Sequence, residues 1–192
     1  VLARLFCLVD TTDDLTLLPE MAALGVDGFQ VRAKAASTRE LRTATESALA
    51  TGACVVVNDR LDVALAAGAH GVHLGASDLP VAAARQLAPR LLIGATCRSA
   101  RQVRQARADG ADYAGFGPIF ATTTKTGLPD PLGVNALREA SGILPLIAIG
   151  GIDATTAGAA RRAGAHGVAA IGAIWRHLDP LRAARELVEA VS

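Results

Sequence analysis

Several polar clusters in this chain have the residue types and spacing for chemistry on phosphorylated molecules. Gln30, Arg32 and Lys34 alternate, so on an extended segment they share one face, with Phe29 and Val31 turned the other way. Arginine offers a planar fork and lysine a compact ammonium, two different ways of holding anionic oxygens. Asn58 and Asp59 follow the apolar run Val55-Val56-Val57, and Asp78 lies four residues beyond Leu74. Two carboxylates at neighbouring strand ends form an oxygen-ligand set for Mg²⁺, which takes one or two protein carboxylates plus substrate phosphate oxygens. Thr122, Thr123, Thr124 and Lys125 supply hydroxyls and an ammonium with no acid among them, a composition suited to phosphate. Gly150-Gly151-Ile152 and Ile171-Gly172 expose backbone N–H groups, a further way of holding an anion.

Each cluster also has a plainer reading. Arg32 would serve equally well in an ion pair with Asp10, Asp59 or Asp78, because a buried guanidinium needs an anionic partner. Asp59 would do so with Arg60 or Arg32. Asp78 suits a helix N-cap before Leu79-Pro80, with proline at an early helical position. The threonines read in isolation as a solvated loop, and the paired glycines as a tight turn. His73 alternates within an apolar run and suits a hydrogen-bonded core position, whereas His70 and His166 precede their strands and belong to the opposite end. No Ser-His-Asp or Cys-His arrangement supports a covalent nucleophile.

Lysine is scarce: Lys34 and Lys125 are the only two among 19 cationic side chains. Either cation solubilises a surface, so a lysine kept in an arginine-rich chain points to a place where a point charge is wanted. Both stand just after a strand-like apolar run.

Those runs set the architecture. Leu5–Val9, Phe29–Ala33, Cys54–Val57, Gly71–Leu74, Leu91–Ala95, Tyr113–Gly117, Leu146–Ile149 and Gly167–Ile171 alternate with Ala/Arg/Leu-rich segments such as Leu41–Leu49, Arg101–Ala108 and Thr155–Ala163. Ser37-x-x-Glu40 reads as a capping box, and Ser99 and Asp153 as helix N-caps. Gly25-Val-Asp-Gly28, Gly68-Ala-His-Gly71, Gly110-Ala-Asp-Tyr113 and Gly164-Ala-His-Gly167 stand before every second run, the first glycine placed for a left-handed helix C-cap. This repeat implies four βαβα modules, and eight strand–helix units close into an α/β (β/α)₈ TIM barrel, small and with short loops. An open doubly wound sheet is the alternative, but no Gly-x-Gly-x-x-Gly follows the first run. The chemistry of a closed barrel gathers at the C-terminal strand ends, where all the clusters above lie. The stretch 119–133 is long for so economical a chain and reads as functional.

Composition agrees. The 192 residues suit one domain, 1–192, and 51% hydrophobic with only 3% aromatic content suits strands buried on both faces. A formal charge of +1 provides no field for nucleic acid or an anionic membrane, so any anion must be held locally. Cys7, Cys54 and Cys97 lack metal-ligand spacing and read as reduced thiols of a cytoplasmic protein. Ala/Arg-rich helices leave a homodimer and a solvated monomer equally open.

Taken in order, the strand ends resemble the thiamine-phosphate synthase family over nearly the whole chain. Gln30-Val31-Arg32-Ala33-Lys34 is similar to the family's Gln-x-Arg-x-Lys, and Asn58-Asp59-Arg60 and Gly71-Val72-His73-Leu74-Gly75-x-x-Asp78 also match. Gly117-Pro118-Ile119-Phe120-Ala121-Thr122-Thr123-Thr124-Lys125 resembles its Gly-Pro-(aromatic)-x-Thr-x-Thr-Lys segment. Ile149-Gly150-Gly151-Ile152 completes the set.

The resemblance implies an enzyme that joins 4-amino-2-methyl-5-hydroxymethylpyrimidine diphosphate to a thiazole phosphate and releases pyrophosphate. It assigns Gln30, Val31, Arg32, Ala33, Lys34, Asn58, Thr96 and Lys125 to the pyrimidine diphosphate. Asp59 and Asp78 fall to Mg²⁺, and Thr122, Thr123, Thr124, Gly151, Ile171 and Gly172 to the thiazole phosphate. Arg32, Lys34, Thr96 and Lys125 are the expected catalytic groups. The chain departs from the family at Ala76, Thr96, Arg98 and Gly172, where glutamine, serine, histidine and serine are usual. A thiazole tautomerase of the same superfamily and a non-catalytic phosphometabolite-binding barrel are the alternatives. The pair Asp59/Asp78 and Pro118 favour the synthase.

Overall fold

The computed structural model describes residues 1–122 and 130–192. Eight parallel strands close a barrel in sequence order: β1 (Leu5–Val9), β2 (Gly28–Val31), β3 (Cys54–Asn58), β4 (Gly71–Leu74), β5 (Leu92–Cys97), β6 (Tyr113–Phe116), β7 (Leu146–Ile149) and β8 (Gly167–Ala170), which pairs back with β1. Around it run α1 (Leu18–Ala23), α2 (Thr38–Leu49), α3 (Leu61–Ala67), α4 (Val81–Leu87), α5 (Ala100–Ala108), α6 (Gly133–Ala140), α7 (Ala157–Arg162), the single turn α8 (Gly172–Trp175) and α9 (Pro180–Val191). The (β/α)₈ expectation holds and the open sheet is excluded.

Local chemistry explains where the helices begin and end. Ser37 and Glu40 form the expected capping box at α2, and Ser99 accepts from Gln102 N–H at α5. Gly25, Gly68, Gly110 and Gly164 all take positive φ at helix ends, as the repeat required. Two expected caps differ. Asp153 Oδ1 accepts from the N–H groups of Thr155 and Thr156 inside a turn, so α7 starts only at Ala157. Asp78 turns back to accept from Gly75 N–H at 2.7 Å, leaving α4 to begin at Val81.

Two layers of core follow from the strand alternation. Phe29, Val31, Val55, Val57, Val72, Ile93, Ala114, Phe116 and Val168 point outward against the helices. Phe6, Leu8, Val56, Tyr113, Ile147 and Ala169 fill the lumen. A barrel this small cannot take bulk from every strand, so large inward residues face glycines. Gly94 of β5 sits between His73 of β4 and Tyr113 of β6 in the strand register, and a Cβ there would collide with the Tyr113 ring and hydroxyl. At Gly115 a Cβ would meet the His73 ring at 2.7 Å. Gly94→Ala should therefore destabilise the fold by about 2–3 kcal/mol as an overpacked core. The midpoint of denaturant unfolding reads this directly; an unchanged midpoint would mean that Tyr113 has room to move.

Candidate active site

The C-terminal strand ends surround a cavity of about 1020 Å³. Phe6, Leu8, Ile147, Ile149, Ala169 and Ile171 give it an apolar floor. Gln30, Arg32, Asn58, His73, Thr96 and Arg98 line it on the β2–β5 side, and Gly150, Gly151 and Gly172 on the β7–β8 side, with Thr122 between. One mouth thus collects groups from strand ends far apart in sequence.

On the β2–β5 side the polar groups are held by one another. Gln30 is buried and its Nε2 donates to Asn58 Oδ1 at 3.4 Å. Arg32 makes no ion pair among the described residues, so the structural pairing open at the sequence level is not formed and its guanidinium is available to a ligand. The side chains of Val31 and Ala33 pack in the outer helix layer and leave only their backbone for any ligand. Thr96 is exposed to the cavity, and its Oγ1 lies 3.0 Å from His73 Nε2, while His73 Nδ1 lies 3.2 Å from the Tyr113 hydroxyl. Burial pulls the His73 imidazole down to about 4, so it is neutral at ordinary pH.

Lys34, Asp59 and Asp78 stand outside the cavity lining. Asp59 carries φ 65°, and Arg60 N–H donates to Asn58 O at 2.8 Å across it, the rarer positive-φ γ-turn. Its own N–H donates to His73 O at 2.8 Å, which anchors the turn to β4. Burial raises the Asp59 carboxyl above its ordinary range, the facing Asp78 carboxylate raises it further, and Lys34 and Arg32 offset this only in part. Lys34 Nζ is 3.7 Å from Asp59 Oδ2, whereas Arg60 turns away to Asp62 at 2.6 Å. Two facing carboxylates with one exposed lysine beside them form a site that a divalent cation would relieve. Among the described residues no group of three or more His, Cys, Asp or Glu gathers, so phosphate oxygens and water would have to complete the shell. That donor set fits Mg²⁺, which seldom takes an all-protein cage.

Across the mouth, the turn after β7 is glycine for two reasons. Gly150 and Gly151 have φ of 91° and 64°, and a Cβ on either would strike the chain at Pro118 or at Phe120 and Ala121. The tight-turn reading therefore holds, and it also brings Gly151 onto the cavity wall beside Ile171 and Gly172. Thr123, Thr124 and Lys125 lie outside the described residues. Their neighbours Thr122 and Asp130 belong to the same mouth: Thr122 lines the cavity, and Asp130 O accepts from Arg98 Nη2 at 3.2 Å.

Sequence reasoning did not single out Tyr113 or Arg176, which also line the cavity. Tyr113 gave no signal because it sits in an apolar strand. Arg176 is one helical turn beyond Gly172, a spacing from which it could have been found. His70 and His166 bond backbone groups of Val55 and Leu2 and play no part in the mouth.

A closed parallel barrel with its polar side chains gathered at the C-terminal strand ends is the arrangement of a (β/α)₈-barrel enzyme. Residues 5–174 match the family model described as thiamine monophosphate synthase. The chain is 45% identical over 186 residues to a thiamine-phosphate synthase of Chlorobium luteolum, covering 93% of this chain and 88% of that one. It is also 45% identical over 177 residues to a thiamine-phosphate synthase of Chloroflexus aurantiacus, covering 88% and 81%. The solved structure of thiamine phosphate pyrophosphorylase from Pyrococcus furiosus superposes with a TM-score of 0.88 at 32% identity, over 98% of this chain and 95% of that one. The chain belongs to the thiamine monophosphate synthase family.

Proposed function

We propose that this protein couples 4-amino-2-methyl-5-hydroxymethylpyrimidine diphosphate to a thiazole phosphate, giving thiamine phosphate and pyrophosphate. Beyond family membership, the observation that carries this reading is the single cavity with two polar walls. Gln30, Arg32, Asn58 and Thr96 face Gly151 and Gly172 across an apolar floor. Two anionic ends with flat rings between them fit that division.

In this reading Gln30 and Asn58 orient the aminopyrimidine. Arg32, Lys34 and Lys125 hold the diphosphate, and the main chain at Val31 and Ala33 follows the same segment. Thr122, Thr123, Thr124, Gly151, Ile171 and Gly172 hold the thiazole phosphate. Asp59 and Asp78 would hold Mg²⁺, which supplies Lewis-acid stabilisation of the departing diphosphate oxygens. As the methylene C–O bond breaks, negative charge grows on the diphosphate and positive charge spreads into the electron-rich aminopyrimidine. Fixed cations beside the leaving group favour that charge separation, because they need not reorganise as it develops. The thiazole nitrogen, held against the methylene, closes the new C–N bond without a general base. Among the described residues no helix is long and apolar enough to cross a membrane. The free thiols Cys7, Cys54 and Cys97 support a cytoplasmic setting.

The test is to incubate the protein with both substrates and Mg²⁺ and to follow thiamine phosphate by fluorescence after oxidation. Product should form, stop with excess chelator and return with added Mg²⁺. Interconversion of thiazole phosphate isomers without coupling would instead indicate the tautomerase, and undiminished coupling in chelator would remove the metal from the reading.

A further inference from the structure

The lumen holds a hydrogen-bonded chain that the proposed reaction does not explain: Tyr113 hydroxyl, His73 Nδ1, His73 Nε2 and Thr96 Oγ1, at 3.2 and 3.0 Å. It exists because of a missing side chain. Gly94 lies between His73 and Tyr113 in the strand register, and the Tyr113 hydroxyl occupies the space its Cβ would take. Thr96 follows two residues along β5, on the same face, at the cavity wall.

Counting protons gives this chain a direction. A neutral imidazole has one N–H and one lone pair. Among the described residues the Tyr113 hydroxyl has a single hydrogen-bond partner, His73 Nδ1, and lies in the apolar lumen with Phe6 and Ile147. If Nδ1 carried the proton, Tyr113 would accept it and its own O–H would be left buried without an acceptor, a costly arrangement. An imidazolium leaves Tyr113 in the same position. The satisfied arrangement has Tyr113 donating to Nδ1 and Nε2–H donating to Thr96. Thr96 Oγ1 is then an acceptor toward the protein, and its own proton is free to point into the cavity.

We propose that Tyr113 is a positioning residue: it fixes His73 as the Nε2–H tautomer and thereby makes Thr96 a hydrogen-bond donor toward the anionic substrate. With the other tautomer Thr96 would spend its proton on His73 and present only lone pairs, the wrong polarity beside a phosphate oxygen. The functional half of this proposal rests on the synthase reading; the tautomer does not.

The experiment is ¹⁵N NMR of the histidine side chains at neutral pH, with the His73 signals assigned by their loss in His73→Gln, alongside steady-state kinetics. In the unmodified protein His73 should be protonated at Nε2 alone. Tyr113→Phe keeps the ring and removes the donor, so the Nδ1–H form should appear. Thr96→Val should lower kcat on the order of a hundredfold, as loss of one oriented donor does. Tyr113→Phe should lower kcat about tenfold with KM within twofold, and should add little on the Thr96→Val background, because both act through one hydroxyl. An Nδ1–H tautomer in the unmodified protein overturns the proposal, even if Tyr113→Phe fails to fold. So does a Tyr113→Phe protein with an unchanged tautomer, or one whose kcat loss adds fully to that of Thr96→Val. If no coupling activity is found at all, the synthase reading fails while the tautomer measurement still judges the relay.

Discussion

Asp59→Ala and Asp78→Ala should each leave the barrel folded and cut thiamine phosphate formation on the order of a thousandfold, about 4 kcal/mol of barrier. Both carboxylates lie beyond the strands and outside the packed layers, so their loss opens no cavity in either core. What goes is the facing pair that a divalent cation would bridge. Since the raised Asp59 carboxyl takes up a proton more readily than an ordinary aspartate, and the metal needs it ionised, Mg²⁺ affinity should fade as pH drops through that raised range. Titration calorimetry of Mg²⁺ with pyrophosphate present, run beside kcat, separates the cases. If either variant retains metal-dependent turnover within about tenfold of the unmodified protein, the ligand assignment is wrong.

Lys125→Ala should lower kcat about a hundredfold, roughly 3 kcal/mol, while raising KM much less. The asymmetry follows from timing. Charge on the diphosphate grows as it departs, so an ammonium beside it interacts more strongly in the transition state than with bound substrate. Lys125→Arg should recover only part of the loss, because a planar fork does not occupy the position of a point charge. If KM alone rises, Lys125 is a docking charge; if neither constant changes, the scarcity of lysine in this chain carried no meaning. Lys34 offers a contrast: it is 63% exposed and already 3.7 Å from Asp59, so in the free protein its charge is spent partly on that carboxylate and partly on water.

How far the sequence could be read depended on whether a feature is local. The glycines at 25, 68, 110 and 164 announce helix ends through their own φ preference, and from them the four modules and the barrel follow. Strand ends are legible to within a few residues: β2 stops at Val31, not Ala33, and β5 runs on to Cys97. Asp153 and Asp78 looked like N-caps because both precede helical sequence. Whether a carboxylate caps a helix or ties a turn depends on backbone angles that the sequence leaves open. That Gln30, Arg32, Asn58, Thr96, Gly151 and Gly172 share one cavity was legible because a barrel brings its C-terminal strand ends to one mouth, whereas Lys34, Asp59 and Asp78 fall outside its lining. The Tyr113–His73 contact was not, since it depends on Gly94, and no other residue of β5, falling between His73 of β4 and Tyr113 of β6, a matter of register between distant segments. The roles of Gly150 and Gly151 were half legible: the turn was, but not the chain from Pro118 to Ala121 that packs against it.

The γ-turn at Asp59 has a consequence for anyone breeding a hardier version of this protein. The residue combines a left-handed backbone, disfavoured for any side chain other than glycine's, with a carboxylate pressed toward another carboxylate. Both burdens vanish in Asp59→Gly, and backbone and charge relief then act in the same direction. With Asp59 as the metal ligand proposed above, a library selected only for survival of heating would drift toward glycine at this position and arrive at a population of sturdy, inert barrels. Selection that also demands product would hold the aspartate in place against that pull, which makes position 59 a sensitive marker of what a selection is actually rewarding.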